Sequence, residues 1–207
     1  MATLLQINSS LFSADGQSSM LANRFVEQWR QSNPGGQVVV RDLANNPLPH
    51  LNAERFQAFL ANPNQRNLVQ QAHVAASDEL IEELVSADIL VLALPMYNFG
   101  IPSTLKAWID HIARAGRTFK YTEQGSVGLL QDRKVVVFAA RGGRYQGTPK
   151  DTQSTYIKDV LNFIGLQDIE FVYAEGLAMG EDSRHASLQA ANKTIKQLAK
   201  QLELFAA

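Results

Sequence analysis

Three short segments of the chain combine residue types that can bind a ligand. Residues 9–19 are rich in Ser, include one Gly and contain no Lys or Arg. Residues 96–102 contain adjacent Tyr, Asn and Phe residues in a loop bounded by Pro95 and Pro102. Residues 141–148 begin with an Arg and two glycines. The first segment predicts an anion site, and the second predicts a surface for a flat ring. The third predicts a close approach of the backbone to a ligand.

The first segment leads into a helical pattern, so its backbone N–H groups and the helix dipole would attract an anion. Because the segment has no basic residue, a single phosphate monoester is a better candidate than a triphosphate. Gly16, Gln17 and Ser18 lack the Lys of a nucleotide P-loop, and one glycine does not make a dinucleotide fingerprint. The alternative is an ordinary helix after a serine-rich turn, with Ser18 or Ser19 as its N-cap.

The second segment offers aromatic surface through Tyr97 and Phe99 and polar groups through Asn98 and the backbone. A planar heterocycle could stack on an aromatic ring while backbone amides bond to its edge. Pro95 and Pro102 favour a fixed loop. The alternative is that Met96 and Phe99 only pack in the core beneath the sheet edge.

In the third segment, Gly142 and Gly143 allow the backbone to approach a ligand closely. Their N–H groups, with Arg141 nearby, could stabilise negative charge on a reduced cofactor. A flexible turn is the alternative for these residues. The sequence by itself leaves both possibilities open.

Apolar runs that read as buried strands alternate with helical patterns along the chain. The strand runs are 4–7, 38–40, 89–94, 135–140 and 169–173. Helical spacing appears at 21–29, 53–61, 65–86, 103–114, 157–164 and 188–202, and 118–125 suggests a hairpin. This alternation predicts an α/β three-layer sandwich with a five-stranded parallel sheet, in a single domain over residues 1–207. Parallel strands end at one edge, so the three segments should converge there.

Composition excludes several classes of function. A net charge of −1 gives no support for binding to nucleic acid or anionic membranes. The chain has no Cys, which rules out disulfides, thiolate metal sites and a Cys nucleophile. The histidines show no close ligand spacing, so no metal is expected; they are His50, His73, His111 and His185. Without a signal peptide or a long apolar run, the expected location is the cytoplasm.

Together, the three segments resemble those of the FMN-dependent NADH-azoreductases, within the flavodoxin-like quinone reductase superfamily. Further matches lie at 106–110, 114–116, 118–119 and 163–165, so the likeness covers nearly the whole chain. By this resemblance, the FMN phosphate would be held by Ser10, Gly16, Gln17 and Ser18. The isoalloxazine and ribityl chain would be framed by Met96, Tyr97, Asn98, Phe99, Ala140, Arg141, Gly142 and Gly143.

The resemblance implies a flavodoxin-like fold and a homodimer with two FMN sites at the subunit interface. Its members take hydride from NADH, with NADPH also possible, and then reduce quinones or azo compounds by a ping-pong mechanism. Phe99, Tyr121 and Phe163 would line the substrate pocket, and no side chain is assigned as catalytic because the chemistry is the cofactor's. Relatives often carry Ser where this chain has Gly16 and Ala140.

The sequence is also compatible with two other functions. One is a flavodoxin-type electron-transfer protein that binds a protein partner. The other is a flavin-free binding or regulatory module of the same fold.

Overall fold

The computed structural model describes residues 2–203, which contain seven strands. They are β1 (Thr3–Asn8), β2 (Gln37–Asp42), β3 (Ile89–Pro95), β4 (Phe119–Thr122), β5 (Gly125–Gly128), β6 (Lys134–Ala140) and β7 (Ile169–Ala174). Five of them form a parallel sheet in the order β2-β1-β3-β6-β7. β4 and β5 form a separate antiparallel hairpin. The five-stranded parallel sheet and the hairpin are therefore confirmed.

Helices cover both faces of the parallel sheet. They are α1 (Gln17–Ser32), α2 (Ala53–Leu60), α3 (Leu68–Ser86), α4 (Ser103–Ile112), α5 (Thr152–Ile164) and α6 (Glu181–Glu203). Apolar residues of α1 and α6 pack on one face, and those of α3, α4 and α5 pack on the other. The three-layer α/β sandwich is confirmed.

The central strand β3 shows why its sequence is apolar without interruption. All seven of its residues are buried, since a parallel sheet covered on both faces has no solvated side. Leu90 and Leu92 face the layer of α3, α4 and α5, whereas Val91 faces the layer of α1 and α6. Side chains that alternate between the faces thus build two separate cores.

Some helix boundaries differ from the sequence predictions. Neither Ser18 nor Ser19 is the N-cap of α1, because the helix already begins at Gln17 and Gly16 occupies the cap position. α5 begins at Thr152, ahead of the apolar pattern that predicted it, because the Asp151 side chain caps its first turn. α6 begins at Glu181, ahead of the apolar spacing at 188–202 that predicted it. Its first turns are polar and largely exposed, so they show no helical spacing of apolar residues.

The chain reverses its direction of winding at β1. From β1 it moves to β2 on one side, and then returns to place β3 on the other side. In open α/β sheets, ligands bind at the carboxyl edge beside such a reversal. The loops after β1 and β3 flank this point, and the loop after β6 lies next to them.

Candidate functional site

The amino terminus of α1 carries buried donors that have no partner. Among the described residues, the backbone N–H groups of Gln17, Ser18 and Ser19 find no acceptor, and Met20 N donates to Gly16 O at 2.8 Å. No side chain caps the helix. The hydroxyls of Ser18 and Ser19 are buried and also lack a partner. Unpaired donors at the positive end of a helix dipole form an anion site.

Ser10 fills the space beside Gly16. A Cβ added to Gly16 would lie 2.0 Å from Ser10 Oγ and 2.5 Å from Ser10 Cβ. Ser10 is itself 1% exposed, and its Oγ accepts from Phe12 N at 3.2 Å. A side chain at position 16 therefore has no room unless Ser10 moves.

The loop after β3 forms a tight turn with an unusual backbone. Tyr97 N donates to Gly100 O at 3.1 Å, and Gly100 N donates back to Tyr97 O at 2.9 Å. Between them, Asn98 and Phe99 have φ of 50° and 63°, in the left-handed region. Their N–H groups have no acceptor among residues 2–203. Phe99 is 51% exposed, so the alternative of core packing is wrong for this ring.

Direct contacts join the loop after β1, the loop after β3 and the end of β6, which precedes the third candidate loop. Tyr97 Oη lies 3.3 Å from Ser10 Oγ and accepts from Leu11 N at 3.2 Å. Met96 N donates to the carbonyl of Ala140, the last residue of β6, at 3.1 Å. The predicted convergence at the carboxyl edge is confirmed.

The loop after β6 is supported by the segment that follows β7. Gly176 N donates to Gly143 O at 2.9 Å, and Ala178 N donates to Gly142 O at 3.0 Å. The N–H groups of both glycines have no acceptor within the described part of the chain. A Cβ at Gly143 would lie 2.7 Å from Tyr145 Oη, so a side chain there would have to displace that ring.

The guanidinium of Arg141 forms internal ion pairs with Asp151 and Glu175, which argues against the prediction that it stabilises negative charge on a reduced cofactor. Its side chain is fully buried and forms ion pairs with Asp151 at 2.8 Å and Glu175 at 3.0 Å. It also donates to Ser154 Oγ at 3.0 Å and lies 5.1 Å from the ring centre of Tyr173. Its backbone N–H is bonded to Ala174 O at 2.8 Å. The residue is an anchor beneath the loop.

The ion pair with Arg141 keeps the carboxylate of Asp151 charged. Burial by itself would raise the pKa of Asp151, but hydrogen bonds from Arg141 and Ser154 outweigh it and hold the pKa below its ordinary value. Glu175 Oε1 also accepts from the backbone N–H groups of Tyr145 and Gln146, each at 2.9 Å. One carboxylate thus connects the buried cation to the loop that carries Gly142 and Gly143.

The three residues predicted to line a substrate pocket fall into two groups. Phe99 contacts Tyr145, with ring centres 5.6 Å apart. Tyr121 and Phe163 both contact Phe119, at 5.5 Å and 4.2 Å between ring centres. No described contact joins the two groups.

The length of α5 explains this separation. Thr152, at the start of the helix, donates its hydroxyl to the carbonyl of Phe99. Phe163 lies in the last turn of the same helix, about 16 Å farther along its axis at 1.5 Å per residue. Within one chain, Tyr121 and Phe163 therefore lie at the opposite edge of the sheet from the candidate loops after β1, β3 and β6.

The sequence patterns did not reveal some residues that shape the site. Asp151, Thr152 and Gln153 begin α5, and Glu175 follows β7 directly. The carboxyl end of the fifth strand was the signal that could have identified Glu175, because it shares an edge with the other three loops. In the described part of the chain, no group of His, Asp and Glu could hold a metal. None of its helices is long and apolar enough to cross a membrane.

Comparison with known proteins identifies similar chains along almost the full length. The FMN-dependent NADH:quinone oxidoreductase of Cellvibrio japonicus is 61% identical over 181 residues, which are 87% of this chain and 91% of that protein. The FMN-dependent NADH:quinone oxidoreductase 2 of Pseudomonas fluorescens is 47% identical over 199 residues, 96% and 100% of the two chains.

Solved structures are similar over the same extent. The FMN-dependent NADH-azoreductase of Bacillus anthracis str. Ames Ancestor, solved in complex with FMN, superposes with a TM-score of 0.89 at 30% identity. That match covers 98% of this chain and 100% of the other. The Flavodoxin_2 family, described by its flavodoxin-like fold, matches residues 2–199, and this chain belongs to it.

Proposed function

We propose that this chain is an FMN-dependent NADH:quinone oxidoreductase that reduces quinones and azo compounds by a ping-pong mechanism. The observation that carries the proposal is the row of unpaired donors at the start of α1, joined through Tyr97 to a loop with two free amides. The similar oxidoreductases and the FMN-bound azoreductase support it. The proposal includes a cytoplasmic location, since the reaction consumes NADH.

The residues present fit the phosphate of FMN. Three backbone N–H groups and two buried hydroxyls at α1 lack partners, and a phosphate has the acceptor oxygens to bond them. Between residues 9 and 19 no Lys or Arg is present, so neutral donors and the helix dipole hold the charge. The missing side chain at Gly16 leaves Ser10 to occupy that space.

The residues of the other two loops fit a flat ring. The free N–H groups of Asn98 and Phe99 can bond to polar atoms on its edge. The free N–H groups of Gly142 and Gly143 can stabilise negative charge on it, as fixed donors do at other sites of developing charge. Bound FMN supplies the two-electron chemistry, so no acid–base pair is required of the protein.

Stopped-flow absorbance tests this function. The purified chain is loaded with FMN, and one FMN per chain is expected on release. Under anaerobic conditions, NADH should bleach the flavin, and a quinone or an azo dye should restore its colour. A flavin that stays oxidised with NADH would refute the enzyme. A protein that binds no FMN would favour the flavin-free module, and a bleached flavin that only a protein acceptor reoxidises would favour the electron carrier.

The proposed enzyme is a homodimer whose pockets are shared between two copies. Phe99 lies with the ligand loops, whereas Tyr121 and Phe163 lie at the other end of α5 in the same chain. Tyr121 is 75% exposed, which leaves its ring available to a neighbour. A two-fold pair would bring the aromatic group of one copy to the ligand loops of the other.

A mixing experiment is expected to show this sharing. Tyr121→Ala should bind FMN normally but lose about fivefold in kcat/KM for a quinone, since one aromatic contact is worth about 1 kcal/mol. A second variant, Ser18→Asp, keeps its Tyr121 but is expected to bind FMN so weakly that it stays empty when FMN is limiting. When the two are unfolded together and refolded, about a quarter of all sites should regain full activity, because half of random pairs are mixed and one site in each is intact.

The control is each variant refolded alone, which should stay impaired. If the mixture is no more active than the average of the two, Tyr121 does not act on the partner's site and the shared pocket is wrong.

A further inference from the structure

The turn after β3 holds a conformation that its own residues disfavour. Asn98 and Phe99 both have positive φ, as in the tight hairpin turns that Asn-Gly pairs prefer. Asn tolerates this region, but Phe has a Cβ that crowds the backbone there. Such strain persists only where the surroundings hold the segment in place.

The first turn of α5 provides that support. Gln153 Nε2 donates to Pro95 O at 2.7 Å and to Gly100 O at 2.8 Å, the residues on either side of residues 96–99. Thr152 donates its hydroxyl to Phe99 O within the turn. Gln153 is 1% exposed, so water does not compete for its amide.

We propose that Thr152 and Gln153 are positioning residues that hold this turn in its left-handed conformation and thereby set the reduction potential of the bound flavin. The inference rests on the proposed function, because it takes the FMN ring to lie against the free amides of Asn98 and Phe99. A donor whose direction is fixed before the ligand arrives stabilises charge better than one that must reorganise.

The supporting turn is itself rigidly attached to the protein. Asp151 accepts from Ser154 N at 3.1 Å and pairs with buried Arg141, so the start of α5 is tied to the end of β6. Because Gln153 lies in this fixed first turn of α5, its hydrogen bonds hold the carbonyls of Pro95 and Gly100 at a fixed distance from the Arg141–Asp151 ion pair. Because neither Thr152 nor Gln153 is assigned to the ligand, both act through the turn.

Two variants separate this role from general packing. Gln153→Met keeps the length of the side chain and removes both hydrogen bonds to the turn. Thr152→Val removes the hydroxyl at an exposed position where loss of folding is not expected. The matched control is Thr155→Val, the same chemical change at an exposed site one turn along α5.

The readouts are the FMN Kd, the midpoint potential and amide hydrogen exchange of the apoprotein. Gln153→Met should raise Kd about tenfold, since it loses two hydrogen bonds of modest net value. Reduced flavin should lose about tenfold more affinity than oxidised flavin, which shifts the midpoint by about 30 mV to more negative values. Thr152→Val should raise Kd about threefold, and the control should match the wild type.

Hydrogen exchange tests the turn without any flavin. The N–H groups of Tyr97 and Gly100 bond across the turn, so they should exchange about tenfold faster in Gln153→Met than in the control. Unchanged exchange and an unchanged midpoint in a folded variant would overturn the inference. A raised Kd with an unchanged midpoint would also overturn it, since that result indicates packing alone. If exchange quickens but the wild type binds no FMN, the proposed function fails while the support of the turn stands.

Discussion

Replacing Ser18 by Asp is expected to weaken FMN binding by about a hundredfold or more. Ser18 is fully buried at the start of α1, and its hydroxyl and N–H have no partner. A carboxylate there would occupy the region that a phosphate needs and would repel it. At 4 Å and an effective dielectric of 20, two unit charges repel by about 4 kcal/mol, so the estimate is conservative.

The same change should leave the apoprotein folded. An acidic side chain in the first turn of a helix is stabilised by the helix dipole by about 0.3–1 kcal/mol. Because Ser18 is fully buried, the carboxylate also loses hydration, which its bonds to the free N–H groups of the first turn must offset. The melting temperature without FMN should therefore stay within about 5 °C of the wild type, whereas titration of FMN fluorescence should show the loss of affinity. Ser18→Asn is the control, because it has the same shape without the charge and should weaken binding by tenfold at most. Equal losses for Asp and Asn would mean that the phosphate does not bind here.

Arg141→Met is expected to lower the stability of the protein by about 3–5 kcal/mol, because it leaves two buried carboxylates without their cation. Asp151 and Glu175 both pair with Arg141, and their side chains are 8% and 14% exposed. For a chain of this size, the change corresponds to a fall of about 10 °C in melting temperature. FMN affinity should fall too, since Glu175 also holds the N–H groups of Tyr145 and Gln146.

The dependence on pH gives this prediction a second test. In the wild type the pKa of Asp151 is depressed. Its contribution to the free energy of unfolding is therefore present above the ordinary Asp pKa and is lost as the pH falls through the depressed value. Without Arg141, burial favours the neutral form of Asp151, so the difference in stability between wild type and variant should narrow as the pH falls towards and below about 4. Arg144→Met is the matched control in the same loop, where an exposed hydrogen bond to Ser183 should matter by less than about 0.5 kcal/mol. A gap that stays constant with pH would contradict the assignment.

The sheet and the meeting of its loops were predictable because their signals are local. The run Ile89–Pro95 is apolar throughout, which indicates a strand covered on both faces, and the segments after three such strands must share one edge. Ser10 and Tyr97 were therefore predicted to lie close together at this edge, and the hydrogen bond between their hydroxyls confirms that prediction.

The role of Arg141 could not be read in the same way. An Arg that follows a buried strand suits a ligand contact and an internal ion pair equally well, and its partner Glu175 lies at the end of another strand. Gln153 gave no signal either, since a polar residue in the first turn of a helix is ordinary. Only the packing of α5 against the turn after β3 decides what its amide bonds.

The distance between Tyr121 and the loops after β1, β3 and β6 of its own chain has a consequence for the proposed homodimer: its activity should depend on protein concentration. In the proposed homodimer, the donors for one phosphate lie in one copy, whereas Tyr121 and Phe163 come from the other, so a monomer that retains FMN should have reduced activity. Specific activity is expected to fall on dilution below the dimer dissociation constant while the protein remains yellow. Adding FMN-free Ser18→Asp protein should then restore the specific activity, because that chain still supplies Tyr121 and Phe163 to the site of its partner.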